Sequence, residues 1–266
     1  MKKKYIAKKK FGQNFLKDDY VLNKIIQSMP QSNLKTVEIG PGLGDLTHKM
    51  VDKYKVEAFE IDKDLFLVLK KKFSKEIENG FLSINNVDVL DVWDENLIDE
   101  PYNLVANLPY YISTRIILNA LMDNNCKSIV VMVQREVALK FEENISSSLS
   151  VIANLVSNTK ILFDVSPESF DPVPKVTSSV IRFDKFTNFV DKDGIFENKK
   201  RLNEFLSFLK ICFKAPRKTL FKNLSSDFDK NIIKNVFEDS DIEQNTRPHQ
   251  LATSTYKQLF DALNAS

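Results

Sequence analysis

The sequence contains few of the residues that build metal and disulfide sites. It has two cysteines, Cys126 and Cys212, and two histidines, His48 and His249, among 266 residues. These are too few for a disulfide framework or a four-ligand zinc site, and histidine-rich metal chemistry is not expected. A reducing, cytoplasmic location therefore fits the sequence best.

Long hydrophobic runs are also absent. The longest uninterrupted apolar stretch lies near Ile129–Val133, whereas a membrane span needs roughly 20 apolar residues. The lysine-rich start is not followed by an apolar region, so neither a secretory signal nor a membrane partner is expected. Hydrophobic residues make up 43% of the chain and charged residues 28%, proportions that exclude the disordered and collagenous classes.

The net charge of +2 is small, but the charge is unevenly distributed. Residues 1–10 contain six lysines and no acidic residue, and residues 199–222 contain eight basic residues and one acid. The rest of the chain is consequently acidic overall. Two basic regions on an acidic protein indicate an anionic partner such as nucleic acid, although a solvated tail and a solvated helix face would carry the same charges.

Strand-like and helix-like segments alternate through the first two-thirds of the chain. Helical spacing begins at 18–29, and further helices are predicted between most of the strands that follow. This order predicts an α/β fold with a mostly parallel sheet covered on both faces. The last two strands have no helix between them, which predicts antiparallel pairing at one edge. The predicted strands are 35–40, 55–61, 81–89, 102–108, 128–134, 161–165 and 176–183, and the later helices are 45–53, 63–79, 113–122 and 135–141.

The pattern changes after about Asp184. Residues 184–198 are polar and irregular, which predicts a linker, and only helical periods follow it. Apolar residues at helical spacing start at Leu202, Ile232 and Tyr256. The sequence thus predicts a large α/β domain followed by a small all-α domain.

A glycine-rich turn joins the first predicted strand to the next helix. Gly40, Gly42 and Gly44 occupy alternate positions, a spacing that differs from the dinucleotide motif and from a P-loop. Glycines there let the backbone approach a ligand closely. Glu60 follows Gly40 by 20 residues, at the end of the next strand, where a carboxylate accepts hydrogen bonds from both ribose hydroxyls. The combination predicts a site for an adenosine-containing cofactor.

Two acidic residues follow the third predicted strand. A carboxylate from Asp88 at that sheet edge would accept a hydrogen bond from an adenine amino group, and Asp91 is a nearby competitor. A helix-capping aspartate has the same local sequence. The residues alone therefore leave both interpretations open.

The fourth predicted strand ends in Asn107-Leu108-Pro109-Tyr110, which a simple strand-to-turn transition also explains. The segment has a chemical interpretation as well. The exocyclic amine of a nucleobase is a weak nucleophile because its lone pair is delocalised into the ring, so methylation requires the nitrogen to become pyramidal. The side-chain carbonyl of Asn107 and the backbone carbonyl of Leu108, whose direction the proline restricts, would accept hydrogen bonds from the amine. Tyr110 would stack on a base turned out of its helix.

Four segments together resemble the ribosomal RNA adenine N6-dimethyltransferase family over nearly the whole chain. The resemblance is strongest to its bacterial small-subunit branch, whose loss gives kasugamycin resistance. Phe11–Leu16 is similar to the family's N-terminal cofactor motif, and Glu38–Gly44 is similar to its glycine motif. Asn107–Thr114 resembles the catalytic motif, and Phe170–Val176 resembles a late proline motif whose aromatic residue packs on the target base. The four matches together are highly specific.

The resemblance implies a class I, Rossmann-like methyltransferase with an S-adenosylmethionine-binding catalytic domain at 1–187 and an RNA- and ribosome-contacting helical domain at 188–266. It implies transfer of four methyl groups from S-adenosylmethionine to the N6 atoms of two adjacent adenines. These adenines lie in the 3′-terminal hairpin loop of 16S rRNA within a small-subunit assembly intermediate. The implied catalytic residues are Asn107, Leu108, Tyr110 and Phe170, and the implied cofactor contacts are Asn14, Leu16, Gly40, Gly42, Glu60, Asp88 and Asn107.

The resemblance also implies RNA contacts from a set of basic residues, and it has two departures from the family pattern. Lys214–Leu220 matches a motif that usually carries two adjacent arginines, but Pro216 stands at the first of them. Residues 146–151 lack the aromatic residue expected at their start, where Ser146 stands. No metal is implied, and a monomer is expected. The implied RNA contacts are Lys175, Lys214, Arg217, Lys218 and Lys222.

Three alternatives share parts of this pattern. A large-subunit rRNA dimethyltransferase that confers antibiotic resistance is the nearest, but Leu108 in place of isoleucine and Lys175 with the later Ser178 favour the small-subunit branch. A non-catalytic assembly or transcription factor on the same fold would not need Glu60 and the intact Asn107–Tyr110 segment. A DNA adenine methyltransferase is disfavoured by the N-terminal motif and by the absence of a target-recognition domain.

Overall fold

The chain divides into two compact units. The computed structural model describes residues 5, 7, 8, 11–142 and 147–265. The first unit consists of Met1–Ala138 and Lys160–Lys185, and the second of Leu139–Thr159 and Phe186–Ser266. Besides the residues after 185, the second unit takes in residues 139–159 from the middle of the chain, a segment that the apolar pattern did not assign to a separate domain.

A seven-stranded sheet dominates the first unit. The strands, numbered in chain order and including two that lie outside this sheet, are β1 (Phe15–Leu16), β2 (Lys35–Ile39), β3 (Val56–Phe59), β4 (Leu82–Asn85), β5 (Tyr102–Asn107), β6 (Cys126–Gln134), β7 (Ser157–Val165), β8 (Phe170–Asp171) and β9 (Ser178–Lys185). Their order across the sheet is β4-β3-β2-β5-β6-β9-β7, and β1 pairs with β8 in a separate ribbon. Strands β2 to β6 are parallel, whereas β9 runs antiparallel to β6. The predicted α/β fold is confirmed.

The central strands are buried on both faces along their apolar middle segments. In β5, Leu104, Val105 and Ala106 are at most 2% exposed, and in β6 the run Ile129–Val133 is at most 1% exposed. Side chains alternate between the two faces of a strand, so consecutive apolar residues need cover on both sides. Each large apolar side chain buried in this way contributes about 1.5–3 kcal/mol. These strands therefore supply much of the hydrophobic stabilisation.

Several helices of the first unit begin at acidic caps. The helices up to residue 139 are α1 (Asp19–Gln27), α2 (Asp45–Met50), α3 (Lys63–Lys72), α4 (Ser74–Glu78), α5 (Val89–Val92), α6 (Ser113–Met122) and α7 (Arg135–Leu139). Asp18, Asp62 and Asp88 accept backbone N–H groups at the starts of α1, α3 and α5, where such donors have no partner within the helix. The predicted helix 63–79 is two helices, since the backbone of Phe73 has φ −112° and ψ 31°.

Helices and an aromatic core form the second unit. These helices are α8 (Ser148–Val156), α9 (Lys199–Cys212), α10 (Leu220–Leu224), α11 (Lys230–Asp239) and α12 (Thr255–Ala265). The ring of Phe205 lies 5.1 Å from that of Phe196 and 5.3 Å from that of Phe260, measured between centroids. The prediction of a linker at 184–198 is wrong, because its Phe189 and Phe196 are only 1% and 3% exposed and belong to this core. Among the described residues, no helix is both long and apolar enough to cross a membrane.

A buried aspartate joins separate segments of the first unit. Asp123 is fully buried. Its Oδ2 accepts the Trp93 Nε1–H at 3.1 Å, the Tyr102 hydroxyl at 2.7 Å and the Leu97 backbone N–H at 2.8 Å. Its Oδ1 accepts the backbone N–H of Asn125 at 2.8 Å. Hydrogen bonds to a charged acceptor are about twice as strong as neutral ones, so this carboxylate fixes the loop after α5 to the start of β6.

Both thiols of the chain are buried. Cys126 lies in β6 and Cys212 ends α9, and neither has exposed surface. Burial disfavours the thiolate, so it raises the pKa of the Cys126 thiol to about 12 and also raises the pKa of Cys212. The two thiols are therefore part of the cores of their units.

Candidate active site

A pocket opens at the carboxyl ends of the parallel strands. Most of its lining comes from the segments 11–16, 38–43, 59–61, 87–89 and 107–112. β3 lies on one side of β2 and β5 lies on the other, so the strand order reverses here. In open α/β sheets such a reversal leaves a crevice in which ligands bind. Three of the four sequence motifs thus meet in one pocket.

The glycine turn places bare backbone at the pocket. Gly42 has φ +61°, and a Cβ atom there would stand 3.0 Å from the Phe15 ring. Gly44, which caps α2, has φ +76°, and its Cβ would stand 2.5 Å from the Phe73 ring. Residues with a Cβ rarely adopt this left-handed backbone. Glycine is therefore required at both positions.

Two glutamates of the pocket are buried and hydrogen-bonded. Glu60, directly after β3, accepts the Gly42 N–H at 3.1 Å and the Asp62 N–H at 2.8 Å. Burial raises the pKa of Glu60, and these backbone hydrogen bonds oppose the rise. Glu38 accepts the Thr47 hydroxyl at 2.6 Å, and burial raises the pKa of Glu38 to about 8. Glu60 is thus held in one orientation, and its oxygens can accept further donors such as ribose hydroxyls.

Asp88 is a helix cap and also lines the pocket. Its Oδ1 accepts the Leu90 N–H at 3.0 Å at the start of α5. A carboxylate has several acceptor sites, so capping and ligand binding are compatible. The competitor Asp91 lies within α5 and is exposed, and it does not line the pocket.

The side-chain amide of Asn107 is held by the N-terminal part of the chain. Asn107 ends β5, and its Nδ2 donates to the backbone carbonyl of Asn14 at 3.0 Å. A carbonyl oxygen only accepts hydrogen bonds, so this contact determines which way the amide faces. The Oδ1 atom therefore remains as an acceptor at the pocket, which is what recognition of an amine requires.

Leu108 and Tyr110 are each held by a partner in the sheet. The Leu108 N–H donates to the Met132 carbonyl at 3.1 Å, and the Tyr110 hydroxyl lies 2.8 Å from Oγ of the buried Ser178. Burial raises the pKa of Tyr110. From the sequence, no role in the site is predicted for Ser178, which is only a feature that favours the small-subunit branch of the family. Its contact with Tyr110 depends on the antiparallel pairing of β9 with β6, which residue spacing does not reveal.

The structure does not bring Phe170 to the pocket. Its side chain is 3% exposed and packs in an apolar core with Leu16, which is 4% exposed. The two residues also pair in the β1–β8 ribbon. A ring without an exposed face has no surface on which a base can stack, so the expected role of Phe170 does not fit this conformation. Tyr111, which lines the pocket and is 62% exposed, is an aromatic ring with a free face beside Tyr110.

The predicted RNA contacts lie at the surface of the two units. Lys175 is exposed in the turn between β8 and β9 of the first unit. In the second unit, four exposed basic residues surround the start of α10, and Pro216 is exposed among them. Ser146 and the lysines of the N-terminus other than Lys8 lie outside the described residues. The four basic residues are Lys214, Arg217, Lys218 and Lys222.

The sequence profile of a known family covers almost all of this chain. The family described as Ribosomal RNA adenine dimethylase matches residues 5–265. The chain belongs to this family. The resemblance seen in the four motifs is thereby confirmed, and a dimethylase of this family is a methyltransferase.

Curated members of the dimethylase family are similar to the chain over nearly their full length. The protein named Ribosomal RNA small subunit methyltransferase A from Campylobacter concisus is 48% identical over 261 residues, with 96% of this chain and 93% of the relative covered. The protein of the same name from Aliarcobacter butzleri is 51% identical over 262 residues, with 96% and 95% covered.

Two solved methyltransferase structures have the same fold as this chain. A dimethyladenosine transferase from Plasmodium falciparum superimposes with a TM-score of 0.77 at 24% identity, covering 94% of this chain and 97% of that one. The 23S rRNA methyltransferase ErmE superimposes with a TM-score of 0.73 at 22% identity, covering 94% and 100%. The predicted class I fold is confirmed by these similarities.

Proposed function

We propose that this chain is a 16S rRNA adenine N6,N6-dimethyltransferase that uses S-adenosylmethionine. It adds two methyl groups to each of two adjacent adenines in the 3′-terminal hairpin loop, within a small-subunit assembly intermediate. The observation that carries the proposal is the oriented amide of Asn107 in one pocket with the glycine turn and Glu60. The names of relatives at 48% and 51% identity support the small-subunit branch.

The residues of the pocket fit S-adenosylmethionine. Glu60 offers acceptors to the ribose hydroxyls, and Asp88 offers one to the adenine amino group. The backbone of Gly42 lines the pocket without a side chain, so it can approach the cofactor closely. When bound, this cofactor supplies an electrophilic methyl group on a sulfonium, so the reaction requires no covalent nucleophile. Asn14, Leu16, Gly40 and Asn107 complete the proposed contacts.

The chain's own contribution is to position the target amine. Asn107 Oδ1 and the Leu108 carbonyl each accept one hydrogen bond from the amine, which favours a pyramidal nitrogen, and Tyr110 holds the base. Positioning of this kind lowers a barrier by roughly 7–11 kcal/mol. No side chain needs to remove a proton before attack, because the N–H becomes acidic once the new N–C bond has formed, and its proton then passes to water. The monomethylated amine keeps one N–H, so the second transfer uses one of the two acceptors.

Labelled-methyl transfer to small subunits from a strain that lacks the modification tests this function. Naked rRNA and large subunits serve as controls. Four methyl groups per small subunit, mapped to two adjacent adenines, support the proposal. Transfer only to large-subunit RNA would indicate the resistance enzyme instead. Binding without transfer to any of these substrates would indicate a non-catalytic assembly factor.

We further propose that the protein acts as a monomer in the cytoplasm, where small subunits are assembled. An enzyme whose substrate is a large particle needs one pocket and one RNA-contacting surface per chain. Light scattering of the purified protein at the mass of one chain supports this state. The mass of two chains would contradict it.

Gly42→Ala is expected to weaken cofactor binding about tenfold or more. Gly42 has φ +61°, and a residue with a Cβ in this left-handed backbone is strained by about 1–3 kcal/mol. The new Cβ would also meet the Phe15 ring at the pocket. Calorimetry with S-adenosylhomocysteine measures the effect. Gly80→Ala is the matched control, since Gly80 has φ +72° but nothing within 4 Å of its Cβ position. Equal affinity of Gly42→Ala and wild type would refute the placement of the cofactor at this turn.

RNA affinity is expected to fall with rising salt, and Lys218→Ala is expected to make that dependence shallower. Lys218 is exposed and has no ion-pair partner among the residues that the structure describes. Each phosphate contact contributes roughly 0.7–0.9 to the slope of log affinity against log salt. Filter binding at several salt concentrations measures the slope. Lys234→Ala is the control, since Lys234 already pairs with Glu238 at 3.9 Å, and identical slopes for the two variants would count against the RNA contact.

A further inference from the structure

The N-terminal segment, whose described residues are 5, 7, 8 and 11–16, is fastened to Asp62 by its polar side chains. Asp62 accepts the Tyr5 hydroxyl at 2.5 Å, the Lys8 Nζ at 2.7 Å and the Gln13 Nε2 at 3.2 Å. Burial raises the pKa of Asp62, but these hydrogen bonds outweigh it and lower the pKa to about 2. A charged carboxylate that is only 2% exposed therefore anchors the segment two residues after Glu60.

Gln13 connects this anchor to the pocket. Its Oε1 accepts the Lys8 backbone N–H at 2.7 Å and lies 3.1 Å from the Tyr5 hydroxyl, while its Nε2 donates to Asp62. Both ends of the Gln13 amide are thus engaged, which holds the backbone at this position. The next residue, Asn14, presents the carbonyl that accepts Asn107 Nδ2. A continuous path of hydrogen bonds and one peptide unit leads from Asp62 to Asn107.

We propose that Asp62 is a positioning residue of the reaction: it holds the N-terminal segment so that the Asn14 carbonyl keeps Oδ1 of Asn107 facing the target amine. This inference rests on the proposed function. If the segment moves away, the carbonyl is withdrawn and the amide can turn over. A turned amide presents Nδ2, a donor, to an amine that is itself a donor, so it no longer recognises the amine. The same movement takes Asn14 and Leu16 from the cofactor pocket.

Asp62→Asn tests the anchor with little change of shape. Asparagine keeps one acceptor for the Asp64 N–H that Asp62 caps at 3.0 Å, but its amide nitrogen repels the donors of the segment. We expect kcat to fall roughly 10- to 100-fold, the scale of a catalytic group misplaced by about 1 Å. S-adenosylhomocysteine should bind more weakly by calorimetry, and trypsin should cleave faster at Lys8.

Asp64→Asn is the matched control. Asp64 also accepts Lys8 Nζ, at 2.6 Å, but it is 67% exposed, and such surface pairs contribute little. We expect wild-type kcat, cofactor affinity and cleavage rate for this variant. Tyr5→Phe is the second test variant. It removes one donor without touching α3, and it should reproduce the pattern of Asp62→Asn with smaller changes.

A double-mutant cycle with Asn107→Ala shows whether Asp62 acts through Asn107. Without the Asn107 amide there is nothing for the segment to orient, so Asp62→Asn should cause no further loss of kcat in that background. The loss of cofactor affinity should remain. If the losses of kcat caused by Asp62→Asn and Asn107→Ala multiplied in the double variant, or if Asp62→Asn kept the wild-type kcat, this inference would be overturned. The proposed function would not be affected by either result. A wild-type protein that methylates no subunit would instead defeat the proposed function and this inference with it.

Discussion

Asn107→Ala is expected to reduce methyl transfer by about 10²- to 10³-fold, the usual effect of removing one preorganised polar group at a reacting centre. Alanine removes the Oδ1 acceptor and leaves the Leu108 carbonyl as the single partner of the amine. The nitrogen then stays closer to planar and attacks poorly. RNA affinity should be unchanged, because the basic residues proposed to contact RNA are untouched. Single-turnover transfer of labelled methyl groups and filter binding measure the two quantities.

Two further variants separate chemistry from folding in that experiment. Asn107→Asp keeps an acceptor oxygen but cannot donate to the Asn14 carbonyl, so we expect a rate between those of wild type and Asn107→Ala. Asn96→Ala makes the same change as Asn107→Ala at an exposed position outside the pocket, and it should transfer methyl groups at the wild-type rate. Near-normal turnover of Asn107→Ala would remove Asn107 from the mechanism.

Asp123→Ala is expected to lower the free energy of unfolding by about 3–5 kcal/mol, because each buried donor left without an acceptor costs about 1–3 kcal/mol. The substitution leaves the Trp93 Nε1–H, the Tyr102 hydroxyl and the Leu97 N–H without their acceptor in the interior. A change of this size corresponds to a fall in Tm of about 10 °C for a protein of this length. Urea and thermal unfolding followed by circular dichroism measure both values.

The controls for Asp123 distinguish lost hydrogen bonds from lost volume. Asp123→Asn keeps the volume and one acceptor oxygen, so its loss of stability should be smaller than that of Asp123→Ala. Asp99→Ala changes a nearby exposed aspartate, and we expect less than about 0.5 kcal/mol there. If Asp123→Ala were to lose less than 1 kcal/mol, the cluster would not be a source of stability.

The parts of the fold with strong local patterns could be predicted from the sequence. β5 and β6 each contain an uninterrupted apolar stretch, and the helix predicted at 113–122 has the same bounds as α6. The glycine turn, Glu60 and Asn107 were placed correctly at the ends of strands, because parallel strands present their carboxyl ends at one edge. Gly42 and Glu60 could thus be expected in one pocket before any geometry was known.

The contacts that depend on residues distant in the sequence could not be predicted. β1 and β8 are two residues long, too short for any periodicity, yet their pairing draws Phe170 into the core. Tyr5 and Asp62 are separated by 57 positions, and nothing in either local sequence indicates the other. The segment 184–198 has a polar composition that concealed its two buried phenylalanines. In each case the deciding contact joins residues that are distant in the sequence, so the local composition does not predict it.

The burial of Cys126 and Cys212 makes the protein convenient for site-specific chemistry. Thiol reagents attack thiolates, and both sulfurs are enclosed and protonated at neutral pH. A single cysteine introduced at the surface would therefore accept a maleimide fluorophore without prior removal of the native ones. Colorimetric titration of the unmodified protein would detect no reactive thiol while it is folded and two after denaturation, which gives a direct count of unfolded molecules in any preparation.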